Sequence, residues 1–242
     1  MNKSFTDGWR GRIGLVATAP GNATEAEFNR YRPEGVAVLT TRTPLTSSTP
    51  EGIRRMNESV EDAAAMLAQN AYCDVVLCSS TAGSFVDGRE TDDAKAAEMS
   101  EKYGCKVITS AQCMLRALSA VGAGTVTLIT PSSETLNRVE VAYLNSAGIS
   151  VTAQGGFHLS CPRDILAVQP EEVAELARKA DCRQSDAVLL SCSGLHVMEL
   201  IEPLEKELKK PVIASNQFGL WGSLRALDLK DNIPGIGMLW QY

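Results

Sequence analysis

The chain has 242 residues, of which 44% are hydrophobic, and a formal net charge of −6. This length suffices for one large or two small domains with real cores. The negative charge and the lack of a basic block argue against nucleic acid and against an anionic membrane as partners. No apolar run approaches the roughly 20 residues that span a bilayer. The polar N-terminus lacks the apolar core of a signal peptide, so we expect a cytoplasmic protein whose cysteines are free thiols.

Short, unbroken apolar runs alternate with longer helical stretches along the chain, a pattern typical of strands buried on both faces of a parallel sheet. Between the second and third runs, Thr49 precedes Pro50 and Glu51, and this order of N-cap, first-turn proline and acid predicts a helix over 50–70. Pro170 and two following glutamates predict another helix over 170–180. The alternation predicts an α/β fold. The predicted strands are Ile13–Ala17, Val36–Leu39, Val75–Cys78, Val107–Thr109, Val126–Ile129, Ala187–Ser191 and Pro211–Ala214.

Three segments of the first half recur in the same order in the second half. Residues 14–20 resemble residues 125–131, and residues 74–80 (DVVLCSS) resemble residues 186–192 (DAVLLSC). Residues 106–112 resemble residues 212–217, and each segment leads into a helix that carries Leu-Arg-Ala-Leu. Two unrelated α/β stretches are the alternative explanation. The repeat predicts two similar lobes with mostly parallel sheets, related by pseudo-two-fold symmetry, the first formed by 1–115 plus 223–242 and the second by 116–222.

Ligands of open α/β sheets bind beyond the carboxyl ends of the strands. In two facing lobes, four polar loops would meet there at a shared cleft: 18–22, 79–84, 130–133 and 191–194. The loops at 79–84 and 191–194 are rich in Ser, Thr and Gly, and their backbone N–H groups suit a carboxylate or an oxyanion. The sequence therefore predicts a small-carboxylate site in the cleft.

Cys192 is the candidate reactive group of this cleft. A helix N-terminus behind its turn would lower the pKa of the thiol and make it a usable base or nucleophile, whereas the alternative is a buried core cysteine. The repeat places Ser80 at the equivalent position of the other lobe, although a serine hydroxyl is a poor base unaided. Cys78 either reaches the site or belongs to the core. His196 either tunes Cys192 or is a solvated helix residue.

Cofactor-binding motifs are missing from the sequence. We find no GxGxxG after the first strand, no Walker A pattern, no Gly-x-Ser-x-Gly elbow and no HExxH. No CxxC pair or Cys/His cluster has metal-ligand spacing. We therefore expect neither a cofactor nor a metal.

Six short motifs, spread over nearly the whole chain, resemble the aspartate/glutamate racemase superfamily and, within it, the maleate isomerase and arylmalonate decarboxylase branch. They are Pro20-Gly-Asn22, Thr49-Pro-Glu-Gly52, Thr81-Ala-Gly-Ser-Phe85, Thr130-Pro131 with Asn137, Ser191-Cys-Ser-Gly-Leu195, and Ser215-Asn-Gln217 with Trp221.

The resemblance implies a cofactor-independent isomerase or decarboxylase of a small carboxylate or dicarboxylate. Racemases of the superfamily use one cysteine per lobe to move a proton on opposite faces, and in the isomerases one cysteine attacks the double bond. The decarboxylase keeps only the second cysteine, which protonates an enediolate, and Cys192 resembles that cysteine. Ser80 is the expected partner catalytic residue. The substrate-binding residues implied by the resemblance and the loops are Asn22, Thr81, Ala82, Ser132, Ser193 and Gly194.

Two positions depart from the family pattern. The first-lobe cysteine is replaced by Ser80, or by Ser79 or Cys78 if the alignment slips, and the usual tyrosine of the third loop is Ser132. The missing thiol favours the decarboxylase type, whereas the loop with Asn22 and the Ser-Asn-Gln segment favour maleate isomerase. An amino-acid racemase, a non-catalytic carboxylate-binding member and a periplasmic-type binding protein are the alternatives. The substrate and the oligomeric state, a homo-oligomer included, stay open.

Overall fold

The computed structural model describes residues 5–242 and contains two four-stranded sheets in which all paired strands are parallel. The strands of the first sheet are β1 (Gly11–Thr18), β2 (Val36–Thr43), β3 (Val75–Ser79) and β4 (Lys106–Thr109), in the order β2-β1-β3-β4. The strands of the second are β5 (Thr125–Ser132), β6 (Ser150–Leu159), β7 (Ala187–Leu190) and β8 (Val212–Ala214), in the order β6-β5-β7-β8.

Helices follow most of the strands. They are α1 (Asn22–Tyr31), α2 (Pro50–Asn57), α3 (Val60–Ala65), α4 (Thr81–Phe85), α5 (Arg89–Tyr103), α6 (Ser110–Ala120), α7 (Glu134–Ser146), α8 (Pro162–Ala167), α9 (Pro170–Ala180), α10 (Met198–Leu208) and α11 (Ser215–Ala226). A π-helical turn, Met66–Asn70, extends α3, and a 3-10 turn spans Met238–Gln241.

The two sheets have the same strand order when β5–β8 are matched with β1–β4, which confirms the predicted α/β fold of two similar parallel-sheet lobes. A matching hydrogen bond to an aspartate is also repeated in the two lobes. Asp74 accepts a hydrogen bond of 2.9 Å from the backbone N–H of Arg12, and Asp186 accepts one of 2.9 Å from that of Gly124. In each lobe, the acid that begins the repeated motif thus ties the strand after it to the start of the central strand.

Helices α6 and α11 pack against each other and join the two lobes, because each contacts β3 of the first sheet and β8 of the second. Their close approach requires Gly222, where a Cβ atom would lie 2.5 Å from the Sγ atom of Cys113. Side chains of both sheets belong to one continuous hydrophobic core. The chain boundaries predicted near 115 and 222 stay a prediction, since these helices belong to both lobes.

One predicted detail is wrong and one strand was missed. The helix predicted over 50–70 is interrupted, because α2 ends at Asn57 and α3 begins at Val60. Its N-cap is confirmed, since Thr49 Oγ1 accepts a hydrogen bond of 3.2 Å from Gly52 N. The missed strand is β6, an edge strand in which exposed and half-buried residues mostly alternate instead of forming an apolar run. The helix over 170–180 is confirmed as α9.

Within residues 5–242, no helix is both long and apolar enough to cross a membrane. In the same part of the chain, no group of three or more His, Cys, Asp or Glu side chains is arranged to hold a metal ion.

Candidate active site

A cavity of about 60 Å³ lies where the carboxyl ends of the central strands of both lobes face each other. The cavity is larger than the roughly 10–15 Å³ that a single water needs, but it is small, so it suits a ligand of limited size. Most of the site residues predicted from the sequence meet there. Those that line the cavity are Ser80, Thr81, Ala82, Ser132, Cys192, Ser193 and Gly194.

Two predicted or alternative site residues lie elsewhere. Asn22 is exposed at the start of α1 and does not line the cavity, whereas Pro20 and Gly21 of the same loop do. Cys78 lines a separate cavity of about 360 Å³ together with Asp92. Burial raises the pKa of Cys78 to about 12, so it is not a ready substitute for the missing first-lobe thiol.

The expected effect of a helix N-terminus on Cys192 is wrong. Five residues separate Cys192 from α10, which begins only at Met198. The Cys192 sulfur accepts a hydrogen bond of 3.3 Å from Gly194 N, and the N–H groups of Gly194 and Leu195 lower its pKa. Burial outweighs them and raises the pKa to about 11, assisted by the nearby Glu140. The thiol is therefore protonated at neutral pH and is chemically an acid.

Ser80 faces Cys192 from the first lobe and is the N-cap of α4. Its Oγ atom accepts a hydrogen bond of 3.1 Å from Gly83 N. The N–H groups of Thr81 and Ala82 lie in the first turn of α4, where a helix makes no internal hydrogen bonds to N–H groups. This turn therefore offers backbone donors to an oxyanion in the cavity.

A buried network fixes the turn that carries Cys192. The carbonyl of Ser193 accepts hydrogen bonds from Thr24 Oγ1 at 2.9 Å and from Asn216 Nδ2 at 3.3 Å. The carboxylate of Glu27 accepts from Asn216 Nδ2 at 2.6 Å. It also accepts from the two N–H groups at the start of α10, at 2.8 and 2.9 Å. Side chains of α1 and α11 thus hold the turn in place.

Three further polar residues lie on α11 or in the loop that carries Cys192. Asn216 holds the turn of Cys192, as described. Gln217 accepts a hydrogen bond of 3.2 Å from Ala214 N and donates one of 2.7 Å to the Ile236 carbonyl, so it stabilises the chain locally. His196 is exposed in the loop before α10 and is not part of that helix.

One wall of the cavity is apolar and was not predicted. It is formed by Leu45, Ile53, Leu136, Ile165 and Leu166, which come from the loop before α2, from α2 itself, from α7 and from α8. Since the wall is assembled from distant segments, no local sequence pattern indicates it. A second missed residue is Glu140, which helical spacing from the buried Leu136 and Asn137 places on the buried face of α7.

The fold and the site define a two-lobed α/β protein in which a protonated thiol faces polar turns across a small cleft. A family model described as arylmalonate decarboxylase matches residues 13–240, and the chain belongs to this family. It is 27% identical over 238 residues to the maleate isomerase of Nocardia farcinica, with 94% of each chain covered. It is 28% identical over 215 residues to the arylmalonate decarboxylase of Bordetella bronchiseptica, with 88% of this chain and 89% of that one covered.

A solved structure supports cysteine chemistry in this family. A mutant maleate cis-trans isomerase of Nocardia farcinica, crystallised with a covalently bound succinylcysteine intermediate, superposes with a TM-score of 0.88 and is 27% identical. The match covers 95% of this chain and 98% of that one. Cysteine catalysis without a cofactor is therefore the chemistry of the homologues.

Proposed function

We propose that this protein is a cofactor-independent decarboxylase of small malonate-type acids and that Cys192 delivers the proton to the product. The observation that carries the proposal is that, among the described residues that line the cavity, Cys192 is the one thiol, and it faces Ser80. Two-base racemisation and two-cysteine isomerisation both lack their first thiol here.

The geometry supports the following steps. The carboxylate that stays in the product binds to the polar turn that begins α4, at Thr81 and Ala82. The carboxylate that leaves lies near the apolar wall, where poor solvation favours its loss as carbon dioxide. The electron pair of the broken C–C bond forms an enediolate, whose charge the backbone N–H groups stabilise. The S–H group of Cys192 then gives its proton to the carbon atom.

The resulting thiolate must be stabilised until it regains a proton from solvent. Gly194 N already donates a hydrogen bond to the sulfur, and Leu195 N also favours the charged form. The raised pKa of the free thiol suits a proton donor, because the proton stays on sulfur until a strongly basic carbanion forms.

Cis-trans isomerisation of a dicarboxylate such as maleate is the second candidate, favoured by the relative from Nocardia farcinica. In that reaction a thiolate attacks the double bond, so a thiol with a raised pKa needs activation by the substrate. Asn22 is exposed, and Asn216 and Gln217 form hydrogen bonds within the chain, so this reaction has less support than the sequence pattern gave it.

Proton NMR in deuterated water separates the two candidates. We expect phenylmalonate to lose carbon dioxide and to yield phenylacetate with one deuterium at the carbon next to the carboxylate, and we expect maleate to stay unchanged. Formation of fumarate from maleate, with phenylmalonate intact, would assign the isomerase instead. A folded protein that converts neither would contradict the proposed substrate class.

A further inference from the structure

Glu140 is a buried acid next to the proposed catalytic thiol, and the mechanism above does not use it. The residue is only 5% exposed. The Oε1 atom of Glu140 is buried and has no hydrogen-bond partner among the described residues. The same is true of the hydroxyl of Ser191, which directly precedes Cys192. The charge of Glu140 in turn raises the pKa of the Cys192 thiol, so the two groups are close enough to interact.

No described cation faces this carboxyl group. The elements that pack most closely on α7 are α4, β5 and β6. Helix α4 and strand β5 carry no titratable side chain, and β6 carries only His158, which is exposed. On α7 itself, Arg138 forms an exposed ion pair with Glu134, and the ring of Tyr143 packs on Phe85 with centroids 4.8 Å apart. In the loop after β7, Cys192 is the titratable neighbour and His196 is exposed.

A carboxylate without a cation is costly to bury, so such a group keeps its proton. Burial raises the pKa of Glu140 to about 8, and the acid is therefore mostly neutral at pH 7. Because a charged Glu140 and a Cys192 thiolate repel each other, the two groups titrate as a coupled pair.

We propose that Glu140 is a positioning residue that holds a proton behind Cys192 and so keeps the site neutral while the thiol gives up and regains its own proton. The S–H bond of Cys192 breaks and re-forms in the reaction, whereas the O–H bond of Glu140 stays intact. Ionisation of Glu140 above pH 8 would then oppose formation of the thiolate. The catalytic consequence rests on the proposed function, but the coupling between the two groups does not.

Alkylation of Cys192 by iodoacetamide tests the coupling without any substrate. The rate is measured from pH 6 to pH 10 by peptide-resolved mass spectrometry, with the exposed Cys161 as an internal reference. In the wild type we expect the rise of the Cys192 rate with pH to flatten near pH 8, where Glu140 ionises. In Glu140→Gln we expect no flattening, and at pH 9–10 a rate about threefold or more above the wild type. At pH 6–7 the two rates should agree within about twofold.

The matched control is Glu205→Gln in the same lobe, whose carboxylate accepts hydrogen bonds from Val212 N and Met238 N and does not contact Cys192. It should leave the Cys192 profile unchanged. A wild-type profile that rises evenly through pH 8 would overturn the proposal even if Glu140→Gln did not fold. Equal profiles of wild type and folded Glu140→Gln would do the same. Coupled alkylation with no turnover of phenylmalonate would instead leave the coupling between Glu140 and Cys192 standing and refute the proposed function.

Discussion

The buried carboxylate of Glu27 offers the sharpest test of how the turn of Cys192 is held. Glu27→Ala removes the acceptor of three buried hydrogen bonds of 2.6 to 2.9 Å. The two N–H groups at the start of α10 lose their acceptor, whereas the amide of Asn216 still donates hydrogen bonds to the carbonyls of Ser193 and Leu195. A buried donor left unpaired costs roughly 1–3 kcal/mol, so the variant should lose about 4 kcal/mol of its free energy of unfolding.

Urea unfolding of purified variants measures this loss. The matched control is Arg30→Ala, which removes an exposed ion pair between the same two helices, Arg30 of α1 and Glu199 of α10. Exposed ion pairs contribute about 0–1 kcal/mol, so this variant should stay close to the wild type. Glu27→Gln keeps an oxygen that accepts from the two N–H groups, but its own NH₂ group faces the NH₂ group of Asn216, and two donors cannot bond to each other. This variant should lose about 1–2 kcal/mol of its free energy of unfolding.

The activities of these variants should follow the same order as their stabilities. Loss of the hydrogen bonds to Glu27 loosens the turn that positions the Cys192 thiol. If Glu27→Ala were as stable and as active as Arg30→Ala, the network would not hold the turn, and the assignment of Asn216 as a structural residue would be refuted.

Three further predictions concern the acid behind the thiol, the joint between the lobes and the cavity wall. The pKa of Glu140 is about 8 in the folded chain and 4.5 ordinarily, so the folded state binds the extra proton and loses stability as pH rises between these values. We expect Glu140→Gln to be free of this loss, which amounts to about 4 kcal/mol between pH 5 and pH 8. Urea unfolding measures it, and a difference in the free energy of unfolding between wild type and variant that does not change with pH would contradict the prediction. Gly222→Ala places a Cβ atom 2.5 Å from Cys113 Sγ; it should cost about 1–3 kcal/mol, part of which Cys113→Ala restores in a double-mutant cycle. Leu166→Ala widens the cavity and should raise kcat/KM for malonates with a larger substituent relative to methylmalonate, whereas an unchanged ratio would exclude Leu166 from the substrate pocket.

The fold could be predicted largely because its central strands are continuous apolar runs and because the chain repeats itself. Asp74 and Asp186 begin matching motifs in the sequence and make matching hydrogen bonds in the structure. The edge strand β6 was not predicted because one of its faces is open to solvent. Its polar and apolar residues therefore alternate instead of forming an apolar run. The break before Val60 in the helix predicted over 50–70 was not predicted because no glycine or proline marks it.

The position of the candidate site could be predicted from the loops that follow strands, as for Ser80 and Cys192. The ionisation of the thiol could not, because it depends on burial by segments distant in the chain and on the five residues that separate Cys192 from α10. The roles of Glu27 and Glu140 could not be predicted from the sequence either, since a buried acid on a helix is recognised only when its neighbours in space are known. The exposed position of Asn22 likewise depends on where α1 begins.

Turnover of phenylmalonate by Cys192→Ala, beside wild type and the exposed-thiol control Cys161→Ala, tests the central claim most directly. Release of carbon dioxide is followed together with ligand-induced stabilisation, which reports binding. We expect Cys192→Ala to bind phenylmalonate but to lose roughly a hundredfold or more of the rate, as when a positioned proton donor is removed, and we expect Cys161→Ala to match the wild type. A folded Cys192→Ala that keeps the wild-type rate would contradict the assignment of Cys192 as the proton donor.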